Sequence, residues 1–233
     1  MLFDFGGTLD SDGVAWKERF HALYRTEGLD LSAEDFAPAF YAADDAVVGA
    51  LSPTAGLEET VDALTTNLEA EFGRRTARNS AGGIDGPRGA RVASRFLSET
   101  SATFARNRPV LEALGERYRL GVVSNFYGNL EAVCESSGLA PLFGVMADSQ
   151  RVGAEKPEPA IFQAALSALR AAPETAVMVG DSLRRDYEGA RRSGLSFIWI
   201  APKDVQAAER SFTDDGSILG TVSDLPDILD ILT

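Results

Sequence analysis

Four side chains in this chain of 233 residues have the types that phosphoryl transfer needs: Asp4, Ser124, Lys156 and Asp181. Asp4 follows the apolar pair Leu2-Phe3 and leads into Phe5-Gly6-Gly7-Thr8-Leu9; Ser124 closes Leu120-Gly121-Val122-Val123. Asp181 closes Val177-Met178-Val179-Gly180, and Lys156 stands immediately before Pro157. A carboxylate such as Asp4 can attack phosphorus and form an aspartyl-phosphate. Asp4 and Asp181 together can hold one Mg2+ through oxygen, with waters completing its octahedron. The transferring group spreads charge over three oxygens, which need donors and cations. Ser124 Oγ, neighbouring backbone N–H groups and Lys156 supply them, while Gly6 and Gly7 let the backbone come close. Each residue alone reads more simply, as a turn, a cap or a surface loop. Their coincidence at the ends of strands is what points to a site.

The elements that must position them alternate. Short apolar strands are expected at Leu2-Phe3, 120–124, 143–147, 176–180 and 197–200, with helices at 109–118, 129–137, 157–170, 184–193 and 224–232. Pro109 is read at the start of its helix. This alternation implies an α/β fold, a Rossmann-like parallel sheet with helices on both faces. Ligands bind such sheets at the carboxyl ends of the strands, where all four residues fall. Between the first strand and the rest, residues 13–106 carry helical periodicity instead: Trp16, Phe20, Leu23 and Tyr24 in one stripe, Leu57, Val61, Leu64, Leu68 and Phe72 in another, closed by Gly73. Ser32 and Asp35 suggest a further helix start, which Pro38 disturbs. The division is therefore a core of residues 1–12 and 107–233 and an inserted helical cap of residues 13–106. Residues 74–95, with six arginines and Gly82-Gly83, read as a mobile loop.

Composition narrows the function. The net charge of −13 argues against a nucleic-acid binder. One cysteine, Cys134, excludes an internal disulfide, and one histidine, His21, excludes a multi-histidine metal site. Cys134 reads as a small buried apolar residue and His21 as a cap-core or surface histidine. No apolar run approaches the roughly 18 residues of a membrane span, and no leader with a cleavage site is visible. The protein reads as cytoplasmic, monomeric or homodimeric, with a small phosphorylated substrate as partner and neither nucleic acid nor membrane. Only three residues precede Asp4, so the reading frame is expected to extend upstream.

Taken together, Leu2-Phe3-Asp4-Phe5-Gly6-Gly7-Thr8-Leu9, Val122-Val123-Ser124-Asn125, Lys156-Pro157-Glu158-Pro159 and Val177-Met178-Val179-Gly180-Asp181-Ser182 with Asp186 resemble the four motifs of the haloacid dehalogenase superfamily of hydrolases. The resemblance covers the core and not the cap. It implies that Asp4 is the nucleophile and that the Gly6 carbonyl joins Asp4 and Asp181 around Mg2+. It implies that Ser124 and the Asn125 N–H hold phosphoryl oxygens, that Lys156 neutralises nucleophile and phosphate, and that Asp186 orients Lys156 or a metal-bound water.

One position departs. Phosphatases of the superfamily carry an acid/base Asp two residues after the nucleophile, where this chain has Gly6. Such acid–base help is worth about 10²–10⁴ in rate, roughly 3–5 kcal/mol of barrier. Asp10 or Asp12 is a possible substitute. The expectation is an Mg2+-dependent phosphohydrolase acting on substrates with good leaving groups. The alternatives are carbon–halogen hydrolysis, phosphoryl transfer or carbon–phosphorus cleavage, and non-catalytic binding of a phosphorylated ligand or protein partner. The cap is expected to set the substrate, with Arg74, Arg75 and Arg78 reaching an anion. Trp16, Phe20 and Tyr24 are read as cap core.

Overall fold

The computed structural model describes residues 1–79, 86–209 and 217–232. Six strands form one sheet: β1 (Leu2–Phe3), β2 (Gly121–Ser124), β3 (Val145–Asp148), β4 (Val177–Gly180), β5 (Ser196–Ile200) and β6 (Ile218–Val222). Their order is β3-β2-β1-β4-β5-β6 and every pairing is parallel. The chain thus leaves β1 toward opposite sides of the sheet, and β1 lies at the point where strand order reverses. Phe3 is level with Val122 and with Val179. Asp4 therefore emerges at the same edge as Ser124 and Asp181.

Alternation along each strand sorts the core into two layers. Leu2, Val123, Met178, Phe197 and Trp199 pack with Ile161, Phe162 and Ala165 of α7 (Pro159–Leu169) and Ala190 of α8 (Glu188–Arg192) on one face. Phe3, Val122, Val179, Ile198 and Ile200 face the other way, toward α5 (Leu130–Ser136) and a large apolar cluster that continues into the inserted helices. Those helices are α1 (Trp16–Thr26), α2 (Ala33–Asp45), α3 (Leu57–Asn79) and α4 (Gly86–Gly115). Phe20 of α1 stacks on Phe96 of α4 with ring centroids 4.4 Å apart, and Tyr24 meets Phe72 of α3 edge-on at 5.1 Å. The remaining short helices are α6 (Ser149–Val152), α9 (Lys203–Ala208) and α10 (Ile228–Ile231).

Several boundaries differ from the expectation. Gly73 does not end α3, which runs on to Asn79. A helical glycine costs about 1 kcal/mol relative to Ala, and the buried stripe of Val61, Leu64, Leu68 and Phe72 outweighs it. The segment 74–95 is helical up to Asn79 and again from Gly86; the rest of the expected loop, residues 80–85, lies outside the described residues. Pro109 does not start a helix. It sits inside α4, which crosses from the inserted layer to the sheet without a break, so the residue 106/107 division falls within it. The carbonyl that Pro109 leaves without a donor belongs to Ala105, an exposed residue where water can take it. Pro38 is likewise held inside α2, capped by Ser32, which accepts from the Asp35 N–H at 3.1 Å. The terminal helix is shorter than expected, at Ile228–Ile231. The sixth strand was not expected, because Gly220 interrupts its apolar run; a Cβ there would lie 2.4 Å from Ile231 Cδ1, so the glycine marks where α10 closes on the sheet.

Candidate active site

The backbone after β1 turns sharply over Phe5–Leu9, with Gly7 at φ 90°. A Cβ on Gly7 would stand 2.5 Å from Asp181 Oδ2, so both its conformation and its neighbour require glycine. This turn presents Asp4, which is mostly buried. Three donors converge on its Oδ1: the Phe5 N–H at 2.7 Å, Ser124 Oγ at 2.9 Å and Lys156 Nζ at 2.6 Å. Among the described residues no hydrogen bond reaches Oδ2, which leaves that oxygen available to an electrophile.

Lys156 is shared. Its ammonium also donates to Asp186 Oδ1 at 2.7 Å, and its side chain is 1% exposed. Burial alone would lower the Lys156 pKa, but the charges of Asp186 and Asp4 outweigh it and raise it above its ordinary value. Asp186 is fully buried and takes the Ser182 N–H at 3.0 Å on its second oxygen. Burial pushes its carboxyl up to about 6 against the pull of Lys156, and the Asp4 charge adds to the rise. Gly180 makes room for it, since a Cβ there would fall 2.4 Å from Asp186 Cγ.

Asp181 completes the cluster. One carboxylate oxygen from each of Asp4, Asp181 and Asp186 lies within 4.8 Å of the other two. Lys156 serves Asp4 and Asp186, while Asp181 has a contact from Thr8 Oγ1 at 3.4 Å. Burial, then the charges of Asp186 and Asp4, drive its carboxyl well above the ordinary carboxylate range. Three carboxylates against one ammonium is a charge deficit, and an all-oxygen donor set of this kind fits a hard divalent cation.

A family model for haloacid dehalogenase-like hydrolases matches residues 1–194. The chain belongs to this family. Haloacid dehalogenase-like hydrolase domain-containing protein 3 of Bos taurus is 36% identical over 115 residues, 49% of this chain and 46% of that protein. The chain thus spans about half the length of that curated relative. A glyceraldehyde 3-phosphate phosphatase of Methanothermobacter thermautotrophicus is 30% identical over 151 residues, 59% of this chain and 66% of that protein. The crystal structure of the HAD-hydrolase YfnB from Bacillus subtilis, bound to magnesium, superposes with a TM-score of 0.55 at 19% identity, covering 99% of this chain and 96% of that one. That likeness is one of fold. The family is one of hydrolases, and phosphatases are among the relatives.

The strand-end residues picked from the sequence, Asp4, Ser124, Lys156, Asp181 and Asp186, all lie in this one cluster. Asn125 lies beside it with a further job. Its side chain receives the Lys156 N–H at 2.7 Å and donates to the Lys156 carbonyl at 3.2 Å, so it clamps the loop that carries the ammonium. Asp148 was not foreseen. It is buried at the end of β3 and accepts N–H groups from Gly128, Leu130 and Gln150 at 2.9, 3.0 and 2.9 Å, which fixes the loop after β2. An Asp closing an apolar strand was the available signal.

Other expectations do not reach the cluster as acid–base groups. Asp10 is fully buried with both oxygens engaged: Oδ1 takes the Gly7 N–H at 2.7 Å, and Oδ2 takes Trp16 Nε1 at 2.6 Å and Arg19 at 2.9 Å. Asp12 is tied to Arg106. Arg74 and Arg75 both pair with Glu71 of their own helix. Leu57, at the other end of α3, meets the core through Ser136 Oγ at 3.0 Å. Seventeen residues of helix place Arg74 about 26 Å further along the axis. The Arg78 side chain lies outside the described residues. His21 packs on Phe36 and contacts the Leu31 carbonyl at 2.9 Å. Cys134 is buried, which pushes its thiol up to about 12. Among the described residues, no helix is long and apolar enough to cross a membrane.

Proposed function

We propose that the chain is an Mg2+-dependent phosphohydrolase that works through an aspartyl-phosphate on Asp4. The observation that carries this is the convergence of Ser124, Lys156 and the Phe5 N–H on one oxygen of Asp4, beside two further carboxylates. Asp4 attacks phosphorus, the new O–P bond forms, and the bond to the leaving oxygen breaks. Water then cleaves the aspartyl-phosphate, restoring Asp4, and the proton lost by that water leaves with the phosphate. Ser124, Lys156 and the Asn125 N–H bind the phosphoryl oxygens. Asp186 holds Lys156 in place. Asp4, Asp181 and the Gly6 carbonyl would hold the Mg2+, which supplies charge neutralisation for the phosphoryl oxygens when bound. Residues 13–106 act as a cap over the strand ends, and the substrate is a small phosphorylated metabolite whose leaving group departs easily.

The test is phosphate release from p-nitrophenyl phosphate with and without Mg2+, beside Asp4→Asn. Turnover that needs both Mg2+ and Asp4 is the expected result. Turnover that survives Asp4→Asn would refute the nucleophile. Absence of turnover, with halide released from a 2-halo acid instead, would replace this reading with the dehalogenase one.

A further inference from the structure

Glycine at position 6 is not explained by its backbone. Gly6 has φ −74° and ψ 122°, which any residue adopts, in contrast to Gly7 beside it at φ 90°. What stands against a side chain there is Trp16. A Cβ on Gly6 would lie 3.2 Å from Trp16 Nε1 and 3.3 Å from Cδ1. The indole has little freedom to withdraw. Its N–H donates to Asp10 Oδ2 at 2.6 Å, and Asp10 is in turn held by Arg19 and the Gly7 N–H. Its ring meets Phe96, Phe126 and Phe20 edge-on, with centroids 5.2, 5.9 and 6.1 Å away. Trp16 thus occupies the ground beside the nucleophile's turn and fastens it to the buried Asp10–Arg19 pair.

We infer that Trp16 is a specificity-determining residue: it fills the side-chain space of position 6, bars a proton donor from it, and restricts the enzyme to phosphate esters and anhydrides of acidic hydroxyl groups. The substrate class is aryl, enol or acyl phosphates, whose leaving oxygen departs as a stable anion and takes no proton from the protein. Trp16 packs with Phe126 and Tyr127 in one aromatic cluster. Asp10 cannot compensate, since the Gly7, Trp16 and Arg19 donors occupy both of its oxygens. This inference rests on the phosphohydrolase reading above.

The experiment is kcat/KM for a series of substituted phenyl phosphates, plotted against leaving-group acidity. The wild type should fall steeply as the phenol becomes less acidic. Gly6→Asp alone should stay as steep, because its Cβ already meets the indole. Gly6→Asp combined with Trp16→Ala should flatten the plot, and combined with Trp16→Phe, which keeps the bulk, it should not. A shallow wild-type plot would overturn the inference by showing that a donor already reaches the leaving oxygen; Asp44, which accepts from the Tyr127 hydroxyl, would be the first residue to replace. Flattening by Gly6→Asp alone would overturn it too. Melting temperatures give a reading that does not need turnover. Gly6→Ala should lower the melting temperature with Trp16 present and leave it nearly unchanged in the Trp16→Ala background (Trp16→Leu if that variant does not fold). Equal loss in both backgrounds would refute the steric argument. Loss only beside Trp16, with no aryl phosphate hydrolysed by the wild type, would keep that contact and overturn the specificity role together with the phosphohydrolase reading.

Discussion

Lys156 is the side chain on which the charge balance of the cluster depends. Among the described residues it is the one cation in contact with two buried carboxylates, Asp4 and Asp186. Lys156→Met should therefore cost more than a surface charge would. Removing one partner of a buried pair leaves an uncompensated charge, typically about 3–5 kcal/mol, which urea unfolding would register. A loss below about 1 kcal/mol, the range of exposed pairs, would show that the ammonium does not balance them. Asp181 gives a second residue-scale prediction. Its folded pKa lies above its unfolded one, with burial as the main cause. The folded protein then binds more protons than the unfolded chain between those values, so ionising Asp181 removes stability as pH rises through them. A divalent cation binds the ionised form, so its stabilisation should grow with pH. The rise in melting temperature on adding Mg2+ should be larger near about pH 7.5 than near about pH 5.5, and an equal rise at both would argue against a cation at Asp181. The titratable residues of the cluster were legible in the sequence because an acid, a hydroxyl or a lysine at a strand end stands out from the apolar run before it. Asn125 as a clamp and Asp10 as an anchor were not, since both depend on partners 31 and 9 residues away that only the fold brings near.

At the scale of elements, the turn after β1 is tied to α1 and α4 through Asp10. Arg19 reaches Asp10 with one nitrogen and, with the other, Thr100 Oγ1 at 2.9 Å and the Phe96 carbonyl at 3.3 Å. Asp10→Ala leaves Arg19, which is 8% exposed, with only the exposed Glu99 at 3.9 Å as a carboxylate partner among the described residues, and should cost about 3–5 kcal/mol. Asp12→Ala breaks only a pair whose members are 37% and 40% exposed, and should cost no more than about 1 kcal/mol. Similar losses in the two variants, measured by denaturant unfolding, would show that the link does not stabilise the turn. The helices α1 and α3 were readable because apolar residues recur at helical spacing over several turns. The ends of α3 and α4 were not: Gly73 and Pro109 are local breakers, and in both of these helices burial of a long apolar stripe overrides them. The β6 strand was hidden for the opposite reason, its glycine serving a contact with α10 that has no local signature.

Across the whole molecule, a parallel sheet whose order reverses at β1 collects residues from positions 4 to 186 at one edge, and the inserted helices share a continuous apolar core with one face of that sheet. Everything proposed for the chemistry converges on the Asp4 carboxylate, which should carry the phosphoryl group between the two half-reactions. Mass spectrometry of protein quenched in acid during turnover of p-nitrophenyl phosphate with Mg2+ tests this directly. The account predicts a phosphate on the peptide from the amino-terminal end, placed on Asp4 by fragmentation and absent from Asp4→Asn. Turnover with no phosphate on that peptide, or with the phosphate on another residue, would contradict it.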